Sequence, residues 1–535
     1  MLALLHFSLH LGAQTKAPPQ SASCKIDTTE PSEADLAFAA YDIKKAAALY
    51  ASAYTANTTD DRSRELEIQS LILEGKLDDA RKKADTWTAT SATNAYAILA
   101  ASDVRFAEGD WPEAYGIALK AVHANPCLAP AYAALYRFEL AAGYRVTAAR
   151  SMNLAHQLEP NNQSIRFTWI GSLTTAQRLA ESQKYLEDSK AIPEKRRSAL
   201  LHSFSRDAAI SEAGCQLTSF NGEARIPMAA INTHGNTVWG LEVEFNHHKR
   251  LLQIDTGASG FTLTVTAVNG LGLHPVGQIR IGGIGSQGSN AAVLDRADTV
   301  TVGGLVFSNC IVESLSRPAA MGGSTLGYGE RMDDTDGLVG TDIFSRYLVT
   351  LDYIRHEIRL APLPSDPAHP TPPNQLDALG GRNDNDWMLA DRYIPPSMKA
   401  WTSIYREGHM LIMPVFLSAK GKQGHPSLFI MDTGAYNNLV DINTAKEFTH
   451  VDDTADVIFG LSGAQRIFKA GSFDVDFAGI RLPVKSMPAA YLNAFGGVTG
   501  FLGYPTLQQF IMQFDYRDNL VKVQYGQSPE PAHVH

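Results

Sequence analysis

Cysteine is scarce in this chain: four in 535 residues, at positions 24, 127, 215 and 310. Four are too few for a disulfide framework, and their spacing lacks the clustered pattern of a structural metal site. Unpaired buried thiols are the expectation, with Cys215–Cys310 as a candidate bridge. Long apolar runs are missing too, since no stretch reaches the ~20 residues a helix needs to span a bilayer. So is any excess of positive charge: 46 basic residues stand against 56 acidic, a formal net charge of -10. That balance argues against a nucleic-acid partner, which demands a basic face. The chain has no H-E-x-x-H, no G-x-S-x-G and no P-loop, so zinc-hydrolase, serine-hydrolase and nucleotide chemistry have no foothold. No cofactor and no metal are expected.

What is there is ordinary globular material, 44% hydrophobic and 19% charged. At this length one core does not suffice, and two to four domains are expected. The opening MLALLHFSLHLGAQ carries an apolar run of signal-peptide length, then small residues, but no basic segment ahead of the run. Residues 1–29 read as a signal-like segment and linker, and export to a periplasmic or extracellular compartment is the expectation. Cys24 lies well past the run, which disfavours a lipoprotein anchor.

Residues 30–200 are rich in Ala, Leu and Glu and carry an internal period. Gly75, Gly109 and Gly143 are spaced by 34 residues, and Tyr41 holds the same phase. Ala46, Ala80, Ala114 and Ala148 keep that period, while Pro126 and Pro160 close successive units. Small residues suit the close crossing of two helices, and proline stops a helix. EGKLDDARKKA, EGDWPEAYGIALKA and AGYRVTAARSMNLA resemble the turn and second helix of a tetratricopeptide repeat. About four units are visible, with a degenerate fifth near LTTAQRLAESQKYL. The array is either a concave docking surface for a protein partner or a packing partner for the C-terminal two thirds of the chain; nothing in it names a ligand.

Beyond residue 220 the composition turns to Val, Ile, Thr, Phe and Gly in short runs divided by turn residues, the pattern of strands. A lobe over 221–365 and another over 406–527 are separated by a Pro-rich linker, 366–405. The lobes match in register. LLQIDTGAS (251–259) aligns with LFIMDTGAY (428–436), so that Asp432 lies 177 residues after Asp255. At the same offset IGGIGSQG (281–288) meets IFGLSGAQ (458–465), and GLVGTDIFSRYLVTLDY (337–353) aligns without a gap with GFLGYPTLQQFIMQFDY (500–516). The two offsets differ because the first lobe carries extra residues within SLSRPAAMGGSTLGYGERMDDTD. The linker is long enough for the lobes to pair within one chain or between two.

Each lobe thus has Asp-Thr-Gly after an apolar strand, then an apolar-apolar-Gly motif: Leu338-Val339-Gly340 and Phe501-Leu502-Gly503. Duplication suits one chemistry in particular. Two carboxylates about 3 Å apart cannot both ionise easily, so they share a proton and offer an acid and a base to one water. Asp255 and Asp432 are the candidate pair. Gly257 and Gly434 let the two loops approach, and Thr256 and Thr433 can brace them across the pseudo-twofold. Further along, Gly282, Gly283 and Gly285 in one lobe and Gly460 and Gly463 in the other suit mobile hairpin tips, or flaps. These residues resemble the pepsin/retropepsin clan of aspartic peptidases, over roughly 225–365 and 405–527. The lobes are closer to the retropepsin-like type, and the whole chain is similar to bacterial proteins that join tetratricopeptide repeats to such a domain. The resemblance implies a multidomain chain, an all-α solenoid followed by an all-β bilobal protease domain. It further implies endopeptidase activity on peptide or protein substrates. The alternative is a peptide-binding scaffold of the same fold that does not cut.

One departure stands out. Ser259 is expected to offer a hydroxyl to the outer oxygen of the first aspartate, which Tyr436 at the matching position cannot repeat. Ala258 and Ala435 come directly after the two triplets and donate nothing from their side chains. Which aspartate is acid and which base is not set by sequence, because a coupled pair titrates as a unit. Gly283-Ile284-Gly285-Ser286-Gln287-Gly288 matches a dinucleotide-loop pattern, but the second lobe's equivalent lacks the third glycine, so a flap explains both and a pyrophosphate loop only one. His247-His248 reads as a solvated turn. Asp352 and Asp515, each in an LDY or FDY strand, read as structural hydrogen-bonding groups.

Overall fold

A computed structural model describes residues 24–188, 197–198, 201, 215–219, 222–233, 236–283, 290–315, 335–366, 390–422, 424–460, 463–492 and 496–526. The signal-like segment before residue 24, Gly285 of the first flap, most of the first lobe's extra residues and 367–389 of the linker lie outside it.

Among the described residues the N-terminal region holds ten helices in antiparallel pairs: α1 Glu33–Ala39 with α2 Ile43–Ala56, α3 Asp61–Leu73 with α4 Leu77–Thr90, α5 Ala95–Ala107 with α6 Trp111–Ala124, α7 Ala129–Ala141 with α8 Arg145–Leu158, and α9 Gln163–Ser172 with α10 Thr175–Asp188. The period has a conformational cause. Gly75, Gly109 and Gly143 each sit in the turn inside a pair with φ of 75°, 86° and 89°, and Tyr41, in the same phase, is forced to φ 58°. A left-handed residue ends the first helix and aims the chain back for the second, which glycine does at least cost. Ala46, Ala80, Ala114 and Ala148 are at most 2% exposed, where helices cross too closely for a larger side chain. Asp42, Asp60 and Asp110 accept backbone N–H bonds at the starts of α2, α3 and α6, satisfying donors that a helix leaves open.

The rest is β. A nine-stranded sheet forms the first lobe, a ten-stranded sheet the second, and a six-stranded sheet joins them. In the joining sheet Tyr347–Asp352 pairs antiparallel with Phe510–Asp515, so that Thr350 faces Gln513 and Leu348 faces Asp515. These strands come just after the two apolar-apolar-Gly motifs, and their contact relates the halves by a pseudo-twofold within one chain. One large core runs through both lobes. Asp352 and Asp515 act at the strand ends: Asp352 accepts the N–H groups of Ile354 and Arg355, and Asp515 accepts that of Asp518.

All four cysteines are paired, as Cys24–Cys127 and Cys215–Cys310, which corrects the expectation of free thiols. The first bridge ties the segment ahead of α1 to the loop between α6 and α7, a contact between residues 103 apart in sequence that spacing alone does not reveal.

The solenoid is not a separate bead. Trp111, Phe138, Ala141 and Ala142 share one apolar cluster with Tyr405, Ile412, Leu428, Ile430 and Phe501 of the second lobe. Polar contacts surround it. Asn519 Nδ2 donates to the Ala141 carbonyl at 2.9 Å, and an Arg145 guanidinium N–H donates to the Arg517 carbonyl at 2.8 Å. Helix α8 has no cap of its own; Asp391, at the end of the linker, accepts the N–H groups of Val146 and Thr147 at 2.9 and 3.1 Å.

Candidate active site

Each aspartate ends a strand that is clamped by its own apolar-apolar-Gly motif. In the first lobe His248–Asp255 runs parallel to Gly337–Gly340, with Asp255 beside Gly340, and Gly337–Gly340 pairs antiparallel with Phe261–Leu263 on its other side. The second lobe repeats this: His425–Asp432 lies parallel to Gly500–Gly503, with Asp432 beside Gly503, and Leu439–Asp441 closes the other flank. The Asp-Thr-Gly loop is thereby held between strands that are themselves bridged. Glycine is required in the clamp, because a Cβ on Gly340 would meet the Ala258 carbonyl and one on Gly503 the Asn437 carbonyl.

The two loops meet. Thr256 N–H donates to Thr433 Oγ1 and Thr433 N–H donates to Thr256 Oγ1, both at 3.0 Å. Each hydroxyl then donates onward, Thr256 to the Met431 carbonyl at 2.7 Å and Thr433 to the Ile254 carbonyl at 3.1 Å. These four bonds fix the loops about the pseudo-twofold and bring Asp255 and Asp432 together. Gly257 and Gly434 lie against the opposite carboxylates: a Cβ on Gly257 would stand 2.9 Å from Asp432 Cγ. Gly257 N–H donates to Asp255 Oδ1 at 2.7 Å, while Asp432 Oδ1 accepts Gly434 and Ala435 N–H at 2.9 and 3.0 Å.

Burial pushes both carboxyls above the usual carboxylate range, Asp255 the further, where the charge of Asp432 adds to it. Asp255 is buried and Asp432 half-buried. Two carboxyls placed this way share a proton and titrate as one unit.

Around this pair the lobes differ. Ser259 does not reach Asp255. Its hydroxyl donates to Asp342 Oδ2 at 2.8 Å, and Gly260 N–H donates to Asp342 Oδ1 at 2.9 Å, so the expected bond to the outer aspartate oxygen is corrected to a loop brace. Buried Asp342 belongs to the Thr-Asp after the first lobe's motif; the register places Pro505 opposite, and there Asn438 Oδ1 accepts Gly503 N–H instead. Tyr436 also turns away, its hydroxyl donating to Gln253 Oε1 at 3.4 Å. His409, from the hairpin that opens the second lobe, places Nε2 2.9 Å from the Gly257 carbonyl; burial raises Asp432 and Asp342, and the nearness of this imidazole offsets part of that rise. Neither His409 nor Asp342 carries a signal in sequence, since a lone histidine in a hairpin turn and an aspartate after a glycine are both commonplace.

Where the first flap is expected, His274–Ile281 and Asn290–Val302 form a hairpin with Ile281 facing Asn290. Gly282 and Gly283 begin its turn, and Ile281 packs with Leu338 and Ala258 at the edge of the Asp loop. In the second lobe Val451–Gly460 pairs with Gly463–Ala470 through Gly460 facing Gly463. Among the described residues no group of three or more His, Cys, Asp or Glu stands together to hold a metal, and no helix is long and apolar enough to cross a membrane.

No curated protein matches the chain. Among solved structures, the crystal structure of an aspartic proteinase from Irpex lacteus is similar at 11% identity and a TM-score of 0.34, over 57% of this chain and 97% of that one. The match that bears on the site is to a family model: residues 241–343, from the strand pair ahead of Asp255 to the residues after Gly340, are similar to the model described as aspartyl protease.

Proposed function

We propose that this chain is an aspartic endopeptidase that hydrolyses peptide bonds through a water held between Asp255 and Asp432. The observation that carries this reading is the reciprocal Thr256–Thr433 brace, which presents the two carboxyls to each other across a pseudo-twofold. In this reading one of Asp255 and Asp432, as the carboxylate, takes a proton from the water as it attacks the scissile carbonyl, and the other, as the carboxylic acid, gives its proton to the carbonyl oxygen. The peptide lies extended beneath the flap Gly282–Gly283. Ser259, Asp342 and His409 position the first Asp loop and do not touch the reacting atoms. Export to an oxidising compartment fits the two disulfides, which cytosolic thiol chemistry would keep reduced.

Asp255→Asn and Asp432→Asn, isosteric and in the full chain, test it on an unstructured peptide library. Each should lower kcat/KM by at least the 10²–10⁴ typical of acid–base groups. Retention of more than about a hundredth of wild-type activity in either variant would sink the two-lobe site.

A further inference from the structure

Two faces that the pseudo-twofold makes equivalent have different neighbours. Along each Asp strand and its clamp the side chains alternate: Leu252, Ile254 and Val339 of the first lobe, and Phe429, Met431 and Leu502 of the second, enter the large core. Gln253 and Leu338, paired across neighbouring strands, therefore lie on the other face, the one Asp255 shares. Their twins in the aligned runs are Ile430 and Phe501, paired in the same way beside Asp432. These faces, each with the hairpin of its lobe, are the two halves of a cleft that crosses the aspartates.

The first lobe lines its half with its own residues. Leu338 clusters with Leu315, and half-buried Ala258 and Ile281 pack against them. In the second lobe the solenoid occupies the equivalent place. Ile430, Phe501 and Ala490 share their cluster with Trp111 of α6 and Phe138 of α7, and Ile458 and Ile467 of the second hairpin pack onto it. Trp111, Phe138, Ile430 and Phe501 are each at most 3% exposed. Tyr405 packs on both solenoid aromatics, its ring 5.1 Å from that of Trp111 and 5.8 Å from that of Phe138. At the margin the backbones meet. A Cβ on Gly497, in the loop ahead of Gly500–Gly503, would stand 2.3 Å from the Phe106 carbonyl oxygen, and one on Gly109 would stand 2.6 Å from that of Gly497. An added peptide strand needs about 4.7–4.9 Å beside its neighbour, and this seam leaves none. The junction is flanked by the Asn519–Ala141 and Arg145–Arg517 bonds and by the Asp391 cap of α8, which make the solenoid a fixed wall and not a lid.

We propose that the solenoid closes the second lobe's half of the cleft, so that a peptide enters from the first lobe's side and is cut only near one of its ends. The proposal rests on the peptidase reading and deepens it: the substrate class is a free peptide end rather than an interior loop of a folded protein. A chain threading through both halves would have to displace Trp111 and Phe138 from an apolar cluster that water cannot replace.

The test gives the wild-type full chain a library of random twelve-residue peptides, with the products sequenced by mass spectrometry. Cuts near one end, the same end throughout, should outnumber cuts near the middle by at least about tenfold. An even spread of cuts along the peptide, abolished by Asp255→Asn, would overturn the proposal and leave the peptidase reading standing. In parallel, the Asp255→Asn chain is mixed with the same library carrying a photoreactive benzoylphenylalanine at each position in turn, and the cross-links are mapped. They should fall on the first lobe, around Ala258, Ile281 and Leu338. Cross-links on Ile430, Phe501 or Ile458 would overturn the proposal by a readout that needs no turnover. A chain that neither cuts nor cross-links would sink both readings together.

Discussion

A Cβ on Gly434 would stand within 3.0 Å of both carboxylate oxygens of Asp255. The glycine of the second lobe thus leaves the space in which the aspartate of the first is held. Gly434→Ala adds only a methyl group, yet it must push apart loops fixed by four hydrogen bonds. Turnover should fall by at least about a hundredfold, the scale on which misplacing a reacting group is felt. Loss of stability should stay within that of an ordinary overpacking change, about 1–3 kcal/mol. Peptidase assay beside thermal unfolding checks this; near-normal turnover in Gly434→Ala would show that the loops yield.

The dyad sets an activity profile. Turnover needs one proton on the pair, so rate should follow a bell bounded by its two apparent pKa values. Burial raises both carboxyls, and Ala258 and Ala435 add no hydroxyl donor. The optimum should lie in mildly acidic solution, around pH 4.5–6. Ala258→Ser supplies a donor to the ionised form and should move the acid limb to lower pH. His409→Asn removes an imidazole that offsets part of the burial-raised pKa of Asp432 and should move it to higher pH. Rate profiles of the three proteins decide the matter, and shifts in one common direction would contradict the assignment.

Stability should depend on pH through the solenoid too. Glu139 is buried in α7, accepting the Ser151 hydroxyl at 2.7 Å, and burial pushes its pKa up to about 7. Between about pH 4.5 and 7 the unfolded chain has released this proton and the folded chain has kept it, so stability falls as pH rises across that window. Against a usual value near 4.5, the shift corresponds to roughly 3 kcal/mol. Glu139→Gln should flatten the decline measured by chemical denaturation at stepped pH. Parallel curves for the two proteins would mean that Glu139 titrates normally.

A fragment from about residue 220 to 527 keeps both Asp loops but loses the solenoid. It would bare Tyr405, Leu428, Ile430 and Phe501, all buried against or beside Trp111 and Phe138. Four such side chains at about 1.5–3 kcal/mol each rival the whole net stability of a domain, about 5–15 kcal/mol. Phe501 also adjoins the clamp under Asp432. The fragment should be insoluble or inactive in expression and turnover assays. A soluble, fully active fragment would show the solenoid to be dispensable.

Much of this architecture is legible in the chain alone, because repetition makes local signals cumulative. One left-handed glycine is ambiguous; Gly75, Gly109 and Gly143 in phase are not, and the aligned runs around Asp255 and Asp432 expose the duplicated lobe. The features that sequence does not disclose depend on contacts between residues far apart in the chain. Asp391 caps α8 from across the linker, Cys24 meets Cys127, and His409 reaches Gly257 over 152 residues. The role of Ser259 is hidden for a subtler reason: position after Asp-Thr-Gly fixes which loop a hydroxyl occupies but not which carboxylate it faces. Asp342 takes it at 2.8 Å.

The six-stranded sheet that joins the lobes bears on how this protein can change over generations. In an assembly of two identical subunits, every substitution strikes both sides of the centre at once. Here the halves are separate stretches of one polypeptide, held face to face by Thr350 against Gln513, and each can drift alone. The drift is visible: Asp342 stands where its twin half has Pro505, and Ser259 where it has Tyr436. Inheritance of both halves in a single molecule frees one aspartate to specialise while its twin stays as it was.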